Sequence, residues 1–125
     1  SAISVLFYED VGLRVPMTCM QCDEPHCVKV CVVNALSKDE KTGVVNYDKE
    51  KCIGCKMCVS ACPFGNMTYS IRLKEVIKCD LCKGDPQCVK ACNYGAIQYK
   101  ELDSTLDKRK VIANQFKEAF GEGVI

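Results

Sequence analysis

The sequence predicts an α+β fold built from many short elements. Three observations point there. Twelve of the 125 residues are cysteine, and they fall into three groups of four. Short β-prone runs bounded by turn residues separate the groups. A tail with helical periodicity follows the last group. The length fits one domain or a tight pair of small ones. Cysteine at nearly a tenth of the residues marks a chain stapled by disulfides or metal.

The charge balance narrows the classes. Lys and Arg number 17 against 16 Asp and Glu, a net charge of +1. A general nucleic-acid surface needs a clustered basic excess, so none is expected. No apolar run approaches the roughly 18 residues of a spanning helix. Ser1 opens directly into Ile3-Ser4-Val5-Leu6-Phe7-Tyr8, which reads as a strand and not as a leader. The expectation is a cytoplasmic chain with no membrane span.

The elements follow in order. After the opening strand comes Cys19-x2-Cys22-x4-Cys27-x3-Cys31. Thr42 to Tyr47 reads as a turn running into a strand. Then come Cys52-x2-Cys55-x2-Cys58-x3-Cys62 and a short hairpin, Met67–Ile71 with Arg72–Ile77. Cys79-x2-Cys82-x5-Cys88-x3-Cys92 closes the series, and Ile97 to Tyr99 reads as a last strand. Each run ends in an x3 step, which puts two cysteines near one face of a helical turn, so Cys27–Val33, Cys58–Ala61 and Cys88–Ala91 are expected helical. Each last cysteine is followed by a small or apolar pair at matching distance, so one supersecondary unit is used three times. Residues 1–100 are expected to form the metal-held domain and 101–125 a helical tail. In that tail Leu106, Ile112 or Ala113, Phe116 and Phe120 recur at helical spacing, Ser104 caps, Asp107 suits the first turn, and Gly121 and Gly123 stop the helix.

The second run carries the most specific chemistry. Cys52-x2-Cys55-x2-Cys58-x3-Cys62-Pro63 is the bacterial ferredoxin run, in which three thiolates hold one 4Fe–4S cluster and the fourth reaches another. The x2 steps wrap backbone amides around one cubane. The x3 step starts a helical turn that swings the last thiolate away, and Pro63 ends that turn without leaving an unpaired donor. The first run supplies the partner for cross-ligation. One cluster is therefore expected on Cys19, Cys22, Cys27 and Cys62, and a second on Cys52, Cys55, Cys58 and Cys31. Cys79, Cys82 and Cys88 should hold three corners of a third. Either Cys92 closes that cluster, the favoured reading, or an upstream run absent from this sequence makes a fourth cluster with it.

Rival readings are weaker. Zinc takes four cysteines, usually as paired knuckles with a long spacer. A secreted disulfide scaffold would also show an even cysteine count. His26, the only histidine, is expected partly exposed beside a site, with tuning of a cluster as the sharper alternative. Pro25, Pro63 and Pro86 shape loops. Tyr47, Tyr69, Tyr94 and Tyr99 are expected as cover and packing. Lys108-Arg109-Lys110 reads as a solvated face. No phosphate loop, nucleophile triad or nucleotide fingerprint is present.

The phrase Met17-Thr18-Cys19-x2-Cys22-Asp23-Glu24-Pro25-His26-Cys27-Val28-Lys29-Val30-Cys31 resembles the second cluster motif of polyferredoxin-type iron–sulfur subunits. These serve the DMSO reductase superfamily, formate dehydrogenases, hydrogenases and tungsten aldehyde oxidoreductases. Lys51-Cys52-Ile53-Gly54-Cys55 through Cys62-Pro63-Phe64-Gly65 is similar to the third motif, and Lys78-Cys79-Asp80-Leu81-Cys82 through Cys92 to the fourth. The resemblance covers about residues 2–100. It implies a bacterial ferredoxin-like two-cluster module with an added third motif and a C-terminal helix. It also implies a non-catalytic subunit that wires a catalytic oxidoreductase subunit, of tungsten- or molybdenum-pterin type, to an external electron carrier. The compact Gly84-Asp85-Pro86 loop is most similar to small subunits of tungsten aldehyde oxidoreductases and class II benzoyl-CoA reductases. The family's first quartet is missing, and Val32 and Asn93 stand where proline is common. Ser1 falls where family members are well under way, which leaves a longer gene product or a shorter chain as readings. The alternatives are a free ferredoxin shuttle, which the near-neutral charge disfavours, and a zinc-held interaction module.

Overall fold

A computed structural model of the chain describes residues 2–101, 109–114 and 117. Each cysteine run follows an antiparallel hairpin. The first hairpin joins β1 (Ser4–Tyr8) to β2 (Leu13–Met17), with Tyr8 opposite Leu13. Its β-branched and aromatic side chains suit a pleated ribbon. Pro16 is tolerated because a two-stranded ribbon has only edge strands. The second joins β3 (Leu36–Lys38) to β4 (Val45–Tyr47). Its turn is built by Asp39, whose carboxylate accepts from the amides of Lys41 and Thr42. The third joins β5 (Thr68–Ser70) to β6 (Glu75–Ile77), as the sequence predicts.

The helices are single turns, too short to persist alone: α1 (His26–Lys29), α2 (Met57–Ala61) and α3 (Gln87–Ala91). All three x3 steps lie in or beside them, as expected. The first is shorter than the predicted Cys27–Val33 helix. Cys31 instead begins a turn that passes through left-handed Asn34 (φ 52°), which an α-helix cannot contain.

The core is small. Among the described residues the buried apolar side chains are Ala35, Leu36, Val45, Cys58, Met67 and Val76. The second and third hairpins and α2 supply most of them. The first hairpin supplies none, since Val5, Leu6, Phe7, Tyr8 and Leu13 are exposed. So few buried side chains leave a chain of this length in need of a further staple.

The chain divides into two compact units, Ser1–Pro86 and Gln87–Ile125. The division falls inside the third cysteine run. In the second unit the expected strand at Ile97–Tyr99 does not form. A strand needs a partner ladder, and no other strand is described in that unit. Residues 109–114 and 117 are helical and exposed. The rest of the helix expected over 104–120 lies outside the described residues. No described helix is long and apolar enough to cross a membrane.

Candidate metal centre

All three runs use the same backbone device. The residue before the second cysteine is left-handed in each: Gln21 (φ 48°), Gly54 (φ 73°) and Leu81 (φ 55°). This reverses the chain within the x2 step. Only glycine adopts that conformation freely, and a Cβ on Gly54 would also stand 2.8 Å from the Tyr69 hydroxyl.

A second device follows the last cysteine. The residue three positions on is left-handed again, at Asn34, Gly65 and Gly95. Its amide bonds the cysteine carbonyl in each, at 3.4, 3.2 and 3.3 Å. Successive amides then form an anion-binding nest around the sulfur. At Cys31 the Ala35 amide donates to Sγ at 3.3 Å. Burial pushes that thiol up, but the amides of Leu36, Ala35, Val33 and Asn34 outweigh it and hold its pKa below the ordinary value. At Cys92 the amides of Ala96, Ile97, Tyr94 and Gly95 lower it likewise. At both cysteines these amides favour the thiolate, the form that ligates metal.

Cys19, Cys22 and Cys27 of the first run meet Cys62 of the second around one cavity of about 390 Å³, its opening included. Met20, Pro25, His26, Val45, Pro63, Phe64, Asn66 and Met67 complete its lining. The sulfurs feel one another. Burial raises the Cys22 pKa, and the Cys19 and Cys62 charges raise it further, against Lys38. Cys27 is raised by burial and then, against the Val28 amide, by Cys19, Cys22 and Cys62. Thiolates that oppose each other's ionisation call for positive charge in their midst. Among the described residues no three ligating side chains are gathered closely enough for one ion. A single zinc at about 2.3 Å from each sulfur needs them within about 3.8 Å of one another. The four cysteines lining the cavity are the donor set that a multi-iron group takes.

Cys58 anchors the second grouping. It is 8% exposed and packs with Leu36, Val45, Met67 and Val76, while Cys31 and Cys52 lie against the same core. Its pKa is raised by burial and, against the Val59 amide, by Cys55 and Cys31. Tyr47 completes the setting. Its hydroxyl accepts from the Val76 amide at 3.2 Å, and burial, with the Cys52 thiol beside it, pushes its pKa up to about 12.

The third run is described in two parts. In the first unit Cys79 is half-buried and Cys82 exposed, on a left-handed stretch of Leu81, Cys82 and Lys83. The Asp80 carboxylate accepts from the Cys82 amide at 2.9 Å. In the second unit Cys88 and Cys92 are half-buried beside α3. All twelve cysteines are free of disulfides.

His26 lines the cavity and is exposed. Tyr47 and Tyr69 pack against the core. Tyr94 is 95% exposed and Tyr99 45%, so neither acts as cover: the Cys92 nest uses the Tyr94 amide and leaves its ring outside. Sequence reasoning missed Gln21 and Lys78, both 9% exposed. A Lys-Cys pair at 78–79 was the available signal, but Lys51-Cys52 repeats it on the surface.

A family model described as a 4Fe-4S dicluster domain matches residues 11–102. The chain is 49% identical over 75 residues to the polyferredoxin-like subunit of aliphatic sulfonate oxidoreductase from Pyrococcus furiosus, covering 60% of this chain and 43% of that protein. It is 44% identical over 70 residues to a sulfite dehydrogenase subunit from Allochromatium vinosum, covering 56% and 29%. With a selenate reductase subunit from Mesobacillus selenatarsenatis it shares 50% identity over 54 residues, covering 43% and 18%. The chain thus spans less than half the length of these relatives.

Proposed function

Since the chain belongs to the family of 4Fe–4S dicluster domains, we infer that it relays single electrons inside a larger oxidoreductase, between a catalytic subunit and an external electron carrier. The observation that carries this reading is the cavity where Cys19, Cys22 and Cys27 meet Cys62. Bound 4Fe–4S clusters supply one-electron redox chemistry over a wide range of potentials. The chain's own residues bind, bury and polarise. Cys19, Cys22, Cys27 and Cys62 hold one cluster, and Cys52, Cys55, Cys58 and Cys31 a second. Cys79, Cys82, Cys88 and Cys92 hold a third. Complete cysteine ligation leaves no position open to substrate, so this subunit is non-catalytic. Apolar Val45, Met67 and Phe64 restrict water at the first site, and the amide nests stabilise thiolate charge at the others.

The relatives are named as subunits of oxidoreductases acting on sulfonate, sulfite and selenate, which supports a hetero-oligomeric partner of tungsten- or molybdenum-pterin type. Twelve reduced thiols suit the cytoplasm. The test is iron and acid-labile sulfide per chain on anaerobically purified protein. About twelve of each is expected for three cubanes. About eight would leave the third run empty, and about sixteen would require ligands from beyond these residues. Colourless protein with zinc and no sulfide would overturn the reading. Co-purification of a pterin-containing subunit is expected from the same sample. A monomer without it would instead indicate a free shuttle.

A further inference from the structure

We propose that Lys78 is a fixed buried cation that raises the reduction potentials of the clusters flanking it, the one in the Cys19–Cys62 cavity and the one that Cys79 ligates. The inference rests on the cluster assignment above. Lys78 is 9% exposed. Its ammonium donates to the carbonyls of Val45 and Cys79. The ion pairs among the described residues engage Lys29, Lys38, Lys49 and Lys51, not Lys78. A buried charge without an ionic partner is unfavourable unless something nearby supplies the opposite sign.

The surroundings say what supplies it. Val45 is 1% exposed and lines the cavity with Cys19, Cys22, Cys27 and Cys62. The other carbonyl belongs to Cys79 itself. Gln21 bonds the same two residues. Its Oε1 accepts from the Val45 amide at 2.8 Å, and its Nε2 donates to the Cys79 carbonyl at 2.7 Å. The ammonium is thereby held between the wall of one site and the backbone of a ligand of another. Four thiolates around a cubane leave net negative charge. One-electron reduction makes no bond and breaks none; it adds one further negative charge. A cation fixed nearby in a low-dielectric core favours that more negative state. Lys38 also donates to a ligand carbonyl, that of Cys22. Its charge is offset by Asp23 at 3.7 Å, so its influence is smaller.

The test is a redox titration, monitored by electron paramagnetic resonance, of the anaerobically purified full chain with the subunits that accompany it. Lys78→Gln keeps a hydrogen-bond donor and removes the charge. It should lower the midpoints of the clusters at the Cys19–Cys62 cavity and at Cys79. Lys78→Arg should stay near wild type. Unchanged midpoints in Lys78→Gln, or an equal drop in Lys78→Arg, would overturn the proposal. If Lys78→Gln loses iron, Gln21→Glu is read instead. It sets a carboxylate beside the intact ammonium and should also lower two midpoints; no change there overturns the proposal equally. Wild-type protein without iron and sulfide would sink the cluster assignment itself. Loaded clusters indifferent to these variants would sink only the role of Lys78.

Discussion

The second and third cysteine runs begin alike, with Lys-Cys-x2-Cys, and are built differently. Lys51 lies on the surface beside Asp48, 3.6 Å away, with a side chain 60% exposed. Lys78 is buried and bonds only carbonyls in the described network. The second run places glycine at its left-handed position, Gly54. The third places Leu81 there and stays left-handed through Cys82 and Lys83. Cys58 of the second run belongs to the apolar core, whereas its counterpart Cys88 is only half-buried; Cys55 and Cys82, the second ligand of each run, are both exposed. One ligand pattern thus serves a run embedded in the core and a run carried on a strained loop. Spacing sets which atoms ligate; the hairpins around each run set how firmly they are held.

The comparison breaks most sharply at the ligands. Cys58→Ser should remove about four irons and also weaken the core. Cys82→Ser should remove about the same iron with little further loss of stability, measured by iron content and apparent melting temperature. Next comes the left-handed position. Gly54→Ala puts a Cβ 2.8 Å from the Tyr69 hydroxyl at φ 73° and should destabilise by about 1–3 kcal/mol. Lys83→Gly in the third run should have the opposite sign, stabilising by about 0.5–1 kcal/mol because the left-handed strain of an exposed residue is relieved. Equal signs in thermal denaturation would refute the difference between the runs. Tyr47→Phe removes the hydroxyl beside Cys52 and should lower the midpoint of the second cluster alone, without changing iron content. The smallest effect is expected from Lys51→Met. An exposed ion pair contributes about 0–1 kcal/mol, and all midpoints should stay in place.

Much of the site was legible because cysteine spacing is a local property. An x2 or x3 step dictates which sulfurs share a turn, and the meeting of Cys62 with the first run follows from the ferredoxin pattern. The three hairpins were partly legible from β-prone runs and turn residues. The Ile97–Tyr99 strand misled because propensity names a candidate and only a neighbouring strand supplies the ladder. The strand read at Ile3–Tyr8 forms as Ser4–Tyr8, but that Val5, Leu6 and Phe7 stand in solvent is a matter of packing that strand propensity does not set.

By itself, then, the sequence determined the candidate ligands, their grouping into runs and the 4Fe–4S class of group they suit, since these depend on residue type and short spacing. Tertiary structure alone decided that Gln21 and Lys78 clasp Val45 and Cys79, and that the Tyr47 hydroxyl meets the Val76 amide. Partners 24, 33 and 58 residues apart make the Gln21 and Lys78 contacts. Burial of Lys78 depends on the distant Val45 carbonyl as well as that of Cys79, and the Lys-Cys pair it shares with Lys51 does not reveal that partner.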